Sequence, residues 1–360
     1  MTDQPRRPPR LLLIDDDEGQ LSELRREINA LLEDRPIDID IWQPLRDENT
    51  RDKLIEKLAD RPTLVVTDHD LTEGGPAGLM GGSVISWCRA HAIPVGDYSR
   101  KLQDELEEPE LFDFRFPSEP DRAAVLVVDI VRGFDDLSAA LAARDPATDA
   151  DSWSLTLATL LGRDSAANSF SLYSVRTGAS HAGVIERLTK EAGAAEARRL
   201  LAGYVLGHLL YNGILRYPGP ILSDLALCSY LAVGDGAIED VAAMFDHCRY
   251  DGPFGGGRRF YWQEEVDDLL ITMAGETGVD GDPDDALFRR AVLAKRFDPG
   301  KHSCDHCDGK RGGYRCPYIG RTVCDLPQCS VPTSSWIPQG AYLTRVDKDY
   351  YDQWSPLLGL

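Results

Sequence analysis

Short apolar runs that close on aspartate, each followed by a stretch of helical periodicity, constrain the first third of this chain more than any other feature. Leu11 to Ile14 is continuously apolar and runs into Asp15, Asp16 and Asp17, and Thr63 to Thr67 (TLVVT) runs in the same way into Asp68. Such runs read as strands of a parallel sheet, which is buried on both faces. Between them Leu21, Leu24, Ile28, Leu31 and Leu32 recur at helical spacing, Pro36 breaks the pattern, and Ile37, Ile39 and Ile41 alternate with Asp38, Asp40 and Trp42 as a half-buried strand. Arg51 to Asp60 is a short amphipathic helix, and after a glycine-rich loop Ser83 caps a helix over Val84 to His91. Pro94 to Tyr98 and Leu111 to Phe116 supply two further strands. Ser118-Glu119-Pro120-Asp121 then opens a long helix whose apolar face carries Leu126, Ile130, Phe134, Leu137 and Leu141. Strands alternating with helices in this way predict an α/β fold, a doubly wound five-stranded parallel sheet over residues 1–145.

The remaining chain differs in character, as a length of 360 residues leads one to expect. The polar stretch RDPATDADS is a linker, and residues 146–300 read as a mainly α-helical domain. Its expected helices are Trp153 to Leu161, Val184 to Lys190, Ala194 to Arg216, Ile221 to Val233, Ile238 to His247, Tyr261 to Met273 and Asp284 to Arg296. Ala194 to Arg216 is the most apolar and reads as central, which makes His208 a core residue rather than a catalytic one. The run DGPFGGGRRF has glycines and the cations Arg258 and Arg259 but neither P-loop nor dinucleotide spacing, so it reads as a mobile loop. Asp plus Glu outnumber Lys plus Arg by 60 to 39, a net charge of −21, which opposes binding to nucleic acid or to an anionic membrane. No apolar run reaches the roughly 20 residues of a membrane span, and the N-terminus lacks the pattern of a secretory signal, so a cytoplasmic location is expected.

Five of the eight cysteines crowd into residues 301–360, a segment that ends in an aromatic tail. Cys304 and Cys307 form a C-x2-C pair and Cys324 and Cys329 a C-x4-C pair, with Cys316 between them. In a reducing compartment this spacing predicts Zn²⁺, which takes four thiolate or imidazole ligands and holds together a segment with little apolar material of its own. The set is four of Cys304, Cys307, Cys316, Cys324 and Cys329, or includes His302 or His306. Lys310, Arg311, Arg315 and Arg321 make the segment locally basic, which reads first as solvated surface.

In a parallel sheet the functional groups gather beyond the carboxyl ends of the strands. Asp15, Asp16 and Asp68 stand there, and a hard cation such as Mg²⁺ would relieve their mutual repulsion. Residues 10–145 at this point resemble the receiver domain of bacterial two-component response regulators: LLLIDD is similar to that family's first strand with its acid pair, and VVTDHDL to its third strand. The resemblance implies that Asp68 is the phosphoacceptor and that Asp15 and Asp16 bind Mg²⁺ with the backbone carbonyl of Asp70. It further implies that Ser99 is the switch hydroxyl and that a histidine kinase or an effector protein is a partner. Two departures stand out. Phe116 occupies the place of the family's lysine, ahead of Pro117, with Arg115 one residue earlier, and the loop LTEGGPAGLMGG is longer than the family's turn. The expected function is therefore regulation by phosphorylation at Asp68. A degenerate receiver serving as an interaction module is the alternative, and a zinc-dependent hydrolytic effector under receiver control is a third reading. Self-association is open, since the helix from Asp121 to Leu141 could pack on a second copy.

Overall fold

The computed structural model describes residues 7–32, 35–45, 49–72, 80–98, 114–143, 153–173, 195–300, 303–307, 311–332 and 345–354. They fall into two compact units, neither of which is a single stretch of chain. The first takes its residues from Met1–Ser152, Thr177–Leu209 and Gly252–Gly257, and the second from Trp153–Arg176, Leu210–Asp251 and Arg258–Leu360.

In the first unit the apolar runs form β1 (Arg10–Ile14), β2 (Asp38–Trp42), β3 (Leu64–Asp68), β4 (Val95–Tyr98) and β5 (Phe114–Phe116), a five-stranded sheet in the order β2-β1-β3-β4-β5. Every pairing is parallel. Leu111 to Asp113 of the expected fifth strand lie outside the described residues. The connecting helices are α1 (Glu18–Ala30), α2 (Thr50–Ala59), α3 (Gly81–Ala90) and α4 (Pro120–Ala142). Strand alternation sends Leu12, Ile14, Val65 and Val95 to one face, where they pack with Leu54 and Leu58 of α2 and Val84 and Cys88 of α3. Leu11, Leu13, Leu64 and Val66 point the other way and are equally buried, so the sheet is covered on both sides. On that second side α1 packs along α4.

Asp17 caps α1, its carboxylate accepting the amides of Gly19 and Gln20. The expected cap at Ser83 is not the one observed: α3 begins two residues earlier, at Gly81, and Ser83 lies within it. The cause is a tie to the preceding strand. The Gly81 amide donates to the His69 carbonyl at 3.0 Å, and a Cβ at position 81 would lie 2.2 Å from the Asp68 carbonyl oxygen, so only glycine permits this start. After α5 (Trp153–Leu160) of the second unit, the first unit is completed by α6 (Ala195–His208). His208 stacks on Phe114 at 4.7 Å and lies edge-on to Phe134, which meets Phe254 at 5.3 Å. The glycine-rich run is thus partly an internal brace, since Phe254 is buried and the Gly257 amide donates to Asp129 of α4 at 2.9 Å.

The second unit contains β6 (Ile221–Ser223), α7 (Asp224–Tyr230), α8 (Ile238–Met244), β7 (Phe260–Trp262), α9 (Gln263–Thr277) and α10 (Ala286–Leu293). The sequence pattern made Ile221 to Val233 and Tyr261 to Met273 helical throughout. Instead their first residues are strands that pair antiparallel, with Leu222 opposite Tyr261. Pro220 and the aromatic run Phe260-Tyr261-Trp262 favour extended backbone, and the long-range pairing decides the outcome. Ala194 to Arg216 is α-helical only to His208, after which Leu209–Ile214 widens into a π turn. Val184 to Lys190 lies outside the described residues. The core joins Leu227, Leu231, Val241, Phe245, Val266, Leu270 and Val292. The buried Arg289 stacks on Tyr230 and donates to the Tyr230 and Pro283 carbonyls at 2.7 and 2.6 Å.

The cysteine-rich segment adds β8 (Tyr314–Arg315), β9 (Thr322–Val323), β10 (Ser330–Val331), β11 (Val346–Asp347) and α11 (Lys348–Trp354). It is seated on α7, where the Ser229 hydroxyl donates to the Arg315 carbonyl at 2.5 Å and the Arg315 guanidinium to the Val233 carbonyl at 3.1 Å. Among the described residues no helix is long and apolar enough to cross a membrane.

Candidate functional site

Two clusters of potential ligands stand out, one of sulfur and one of oxygen. The first is built by two short turns. The Cys304 amide donates to the Arg311 carbonyl and the Asp305 amide to the Thr322 carbonyl, both at 2.8 Å, while the Asp305 carboxylate accepts the Thr322 amide. These bonds hold the Cys304–Cys307 turn against β9, and Cys324 immediately follows that strand. A second turn, closed by the Cys329 amide on the Leu326 carbonyl and by the Ser330 hydroxyl on the Cys324 carbonyl, brings Cys329 back to the same point. The sulfurs of Cys304, Cys307, Cys324 and Cys329 all lie within 4.8 Å of one another, and none is in a disulfide.

Burial opposes ionisation of Cys304, but the amides of His306 and Cys307 and the thiols of Cys307 and Cys324 outweigh it and bring its pKa down to about 7. Cys329 moves the other way, pushed to about 12 by burial and by the neighbouring Cys324 and Cys304. Four packed sulfurs cannot all ionise without a cation among them, which is the property of a metal centre.

Cys316 and His306, also expected as zinc ligands, are placed elsewhere. Cys316 is buried outside this set, its amide bonded to the Arg321 carbonyl, and burial raises its pKa. His306 turns its ring to Asp347, with Nε2 at 2.6 Å from the carboxylate, and Arg321 reaches Asp347 and Asp349 at 3.4 and 3.3 Å. His302 lies outside the described residues. Nothing in the local sequence pointed to Asp347, which is 41 positions from His306.

The second cluster sits beyond β1 and β3. The carboxylates of Asp15, Asp16 and Asp68 all lie within 4.8 Å of one another. Asp15 is only 2% exposed, and burial raises its pKa to about 6 against the hydrogen bonds from Tyr98 and Asp17, with Asp68 and Asp16 adding to the rise. The Tyr98 hydroxyl donates to one carboxylate oxygen and the Asp17 amide to the other at 2.8 Å. Asp68 is also raised, by burial first, opposed by the amides of His69 and Asp70. The Asp70 side chain is engaged in a turn, accepting from the Thr72 amide and hydroxyl at 3.1 and 2.5 Å.

Strand register aligns Asp68 with Tyr98 and Tyr98 with Phe116, so these three side chains share one face of the sheet. Phe116 is 5% exposed, and Arg115, of opposite parity, is exposed on the other face. Tyr98 was not singled out from the sequence, although it ends the strand next to β3. Ser99 and residues 73–79 of the long loop lie outside the described residues.

No family model, curated protein or solved structure matches the chain.

The chemistry of the donors is then the guide. Four thiols crowded at one point suit a soft or borderline ion of tetrahedral preference, and they leave no position for an oxygen ligand in a closed set. Three carboxyl groups at the end of a parallel sheet suit a hard divalent cation, which would neutralise charge that burial makes costly. His306, Asp347 and Asp349 also lie close together, but the Arg321 guanidinium already supplies the positive charge there.

Proposed function

We propose that this chain is a regulatory protein of atypical receiver type, in which Asp68 accepts a phosphoryl group and the change is read by the helical and cysteine-rich second unit or by a protein partner. The observation that carries this reading is the convergence of Asp15, Asp16 and Asp68 at the carboxyl ends of β1 and β3 in a parallel sheet of order β2-β1-β3-β4-β5. Asp15, Asp16 and the Asp70 backbone carbonyl would hold Mg²⁺, which would supply charge neutralisation for the carboxylates and for an incoming phosphoryl group. In the transfer, an Asp68 oxygen forms a bond to phosphorus as the bond to the donor's leaving group breaks. The added charge of about −1.5 to −2 and its acceptor oxygens then bias the surface around Tyr98 and Phe116. A histidine kinase is the class of partner that would supply the group. In the second unit Zn²⁺ bound by Cys304, Cys307, Cys324 and Cys329 would act structurally, since a closed sulfur set leaves no site for a reactive water. That property disfavours a hydrolytic effector.

Two observations favour the second reading, an interaction module that is not phosphorylated. The Tyr98 hydroxyl already occupies Asp15, and the buried Phe116 stands where the family has a cation. The two readings separate in one experiment. The purified protein is incubated with Mg²⁺ and acetyl phosphate, and its intact mass is compared with that of Asp68→Asn treated identically. A labile, Mg²⁺-dependent adduct on the parent chain alone supports the phosphoryl switch. Its absence, while a known receiver is modified under the same conditions, refutes the switch in favour of the interaction module.

A further inference from the structure

At the amino ends of β3 and β4, away from the aspartates, two loops together with α4 and α6 line a half-open pocket of about 270 Å³ within the first unit. Ile93, Pro94, Phe134, Leu141 and Tyr204 line it, together with the hydroxyl residues Thr63 and Ser138. Two arginines, Arg61 and Arg199, stand among the lining residues. Arg61, in the left-handed region at φ 48°, is held by a bond from its guanidinium to the His91 carbonyl at 2.8 Å. Arg199 has no such anchor: its Nε is buried and meets no hydrogen-bond acceptor.

A buried N–H without an acceptor is destabilising, and more so on a charged group. The chain has 60 acidic residues, yet among the described ones none pairs with Arg199. An arginine whose buried Nε meets no acceptor, in so acidic a protein, is what an external anion would satisfy. Its planar fork matches a carboxylate with two parallel hydrogen bonds. The mainly apolar lining in turn suits a hydrocarbon or aromatic body.

We propose that this pocket binds a small organic carboxylate, with the carboxylate on Arg199 and the apolar body between Ile93, Phe134 and Leu141. This site is separate from the acidic pocket and does not depend on the phosphoryl reading. Because α4 also packs along α1 and α6, occupancy would stiffen the helices that cover one face of the sheet.

The test uses the full chain, octanoate as the probe, 1-octanol as a neutral comparator, and titration calorimetry. Arg199→Met removes the cation. Gly203→Leu fills the space, since an added Cβ there meets Leu141 and Ser138 at ordinary distances of 3.7 and 3.8 Å. Octanoate should bind the parent chain, at least about tenfold more weakly to Arg199→Met, and not measurably to Gly203→Leu. Octanol binding should be unchanged by Arg199→Met and lost in Gly203→Leu. Arg199→Lys should recover part of the octanoate affinity, which a merely structural role for Arg199 would not produce. Three results would overturn the proposal: no octanoate binding at millimolar concentration, equal affinity in the parent and both variants, or displacement of octanoate by an equal concentration of inorganic phosphate. If Arg199→Met fails to fold, Gly203→Leu and the phosphate competition still decide.

Discussion

Replacing Asp15 by asparagine isolates the electrostatic cost of the acidic pocket. Asparagine keeps the size of the side chain, retains an oxygen for the Asp17 amide, and offers an N–H to the Tyr98 oxygen. In the folded chain burial, together with the charges of Asp68 and Asp16, outweighs the bonds from Tyr98 and Asp17 and carries Asp15 from 3.8 to about 6. Asp15 is therefore protonated in the folded protein at pH values where the unfolded chain has released its proton. The stabilisation that follows is fully present below about pH 4 and is lost as pH rises through about 6. A rise of about two units at ~1.36 kcal/mol each sets an upper bound of about 3 kcal/mol. Water reaching the half-exposed Asp16 and Asp68 screens part of this, leaving about 1–3 kcal/mol. Urea unfolding in the presence of a chelator should thus find Asp15→Asn more stable than the parent by that amount at about pH 8, with the difference closing toward about pH 4. Added Mg²⁺ should stabilise the parent and leave the variant almost unchanged. A variant less stable than the parent at alkaline pH, or one that keeps the parent's full pH dependence between about 4 and 6, would refute the reasoning.

Tyr98→Phe removes a donor from a buried carboxylate, so at neutral pH it should cost about 1.5–3 kcal/mol and move the Asp15 transition further above its value near 6, read from the same unfolding curves. Elemental analysis should find one zinc per parent chain and per Cys316→Ser chain, and none in Cys324→Ser, whose far-ultraviolet dichroism should match the parent treated with a strong chelator. Gly133→Ala places a Cβ 2.0 Å from the Phe254 ring and should lower stability by about 1–3 kcal/mol. Calorimetry should show a much smaller cost when Phe254→Leu is already present, because the two positions share one contact.

The parallel sheet was legible because its signals are local. Leu11 to Ile14 and Leu64 to Val66 are too apolar to face water on either side, and the helical repeat of Leu21, Leu24 and Ile28 separates them. Where the readings failed, a partner distant in sequence had overruled a local preference. Ser83 is a good cap by propensity, but the bond from Gly81 to His69 starts α3 before it. Ile221 to Ser223 and Phe260 to Trp262 fit helical periodicity about as well as strand alternation, and only their mutual pairing distinguishes the two. Phe254 illustrates the same limit from the other side. In a glycine-rich loop it looks like surface, and its burial becomes visible only once Gly133 and Phe134 of α4 are seen to receive it.

The two ligand clusters divide along the same line. Cys304 with Cys307 and Cys324 with Cys329 could be paired from spacing alone, since each pair is set within one short turn. Which fifth cysteine stands aside could not, because the choice depends on the β8–β9 hairpin that carries Cys316 past the cluster and on Asp347 taking the His306 ring from 41 positions away. The aspartates were visible as strand ends, yet the group that tunes them was not. Tyr98 reaches Asp15 across 83 residues because β4 lies beside β3 in a register that sets Tyr98 level with Asp68. That register also bears on the phosphoryl reading, since a group bound at Asp68 must share the end of the sheet with the Tyr98 ring and the apolar edge of Phe116. Either the tyrosine hydroxyl leaves Asp15 when the charge arrives, in which case the Asp15 transition near pH 6 shifts on phosphorylation, or the pocket stays closed and Asp15 titrates unchanged. Following that one transition with and without acetyl phosphate therefore asks whether Tyr98 acts as the moving part of a switch or as its lock.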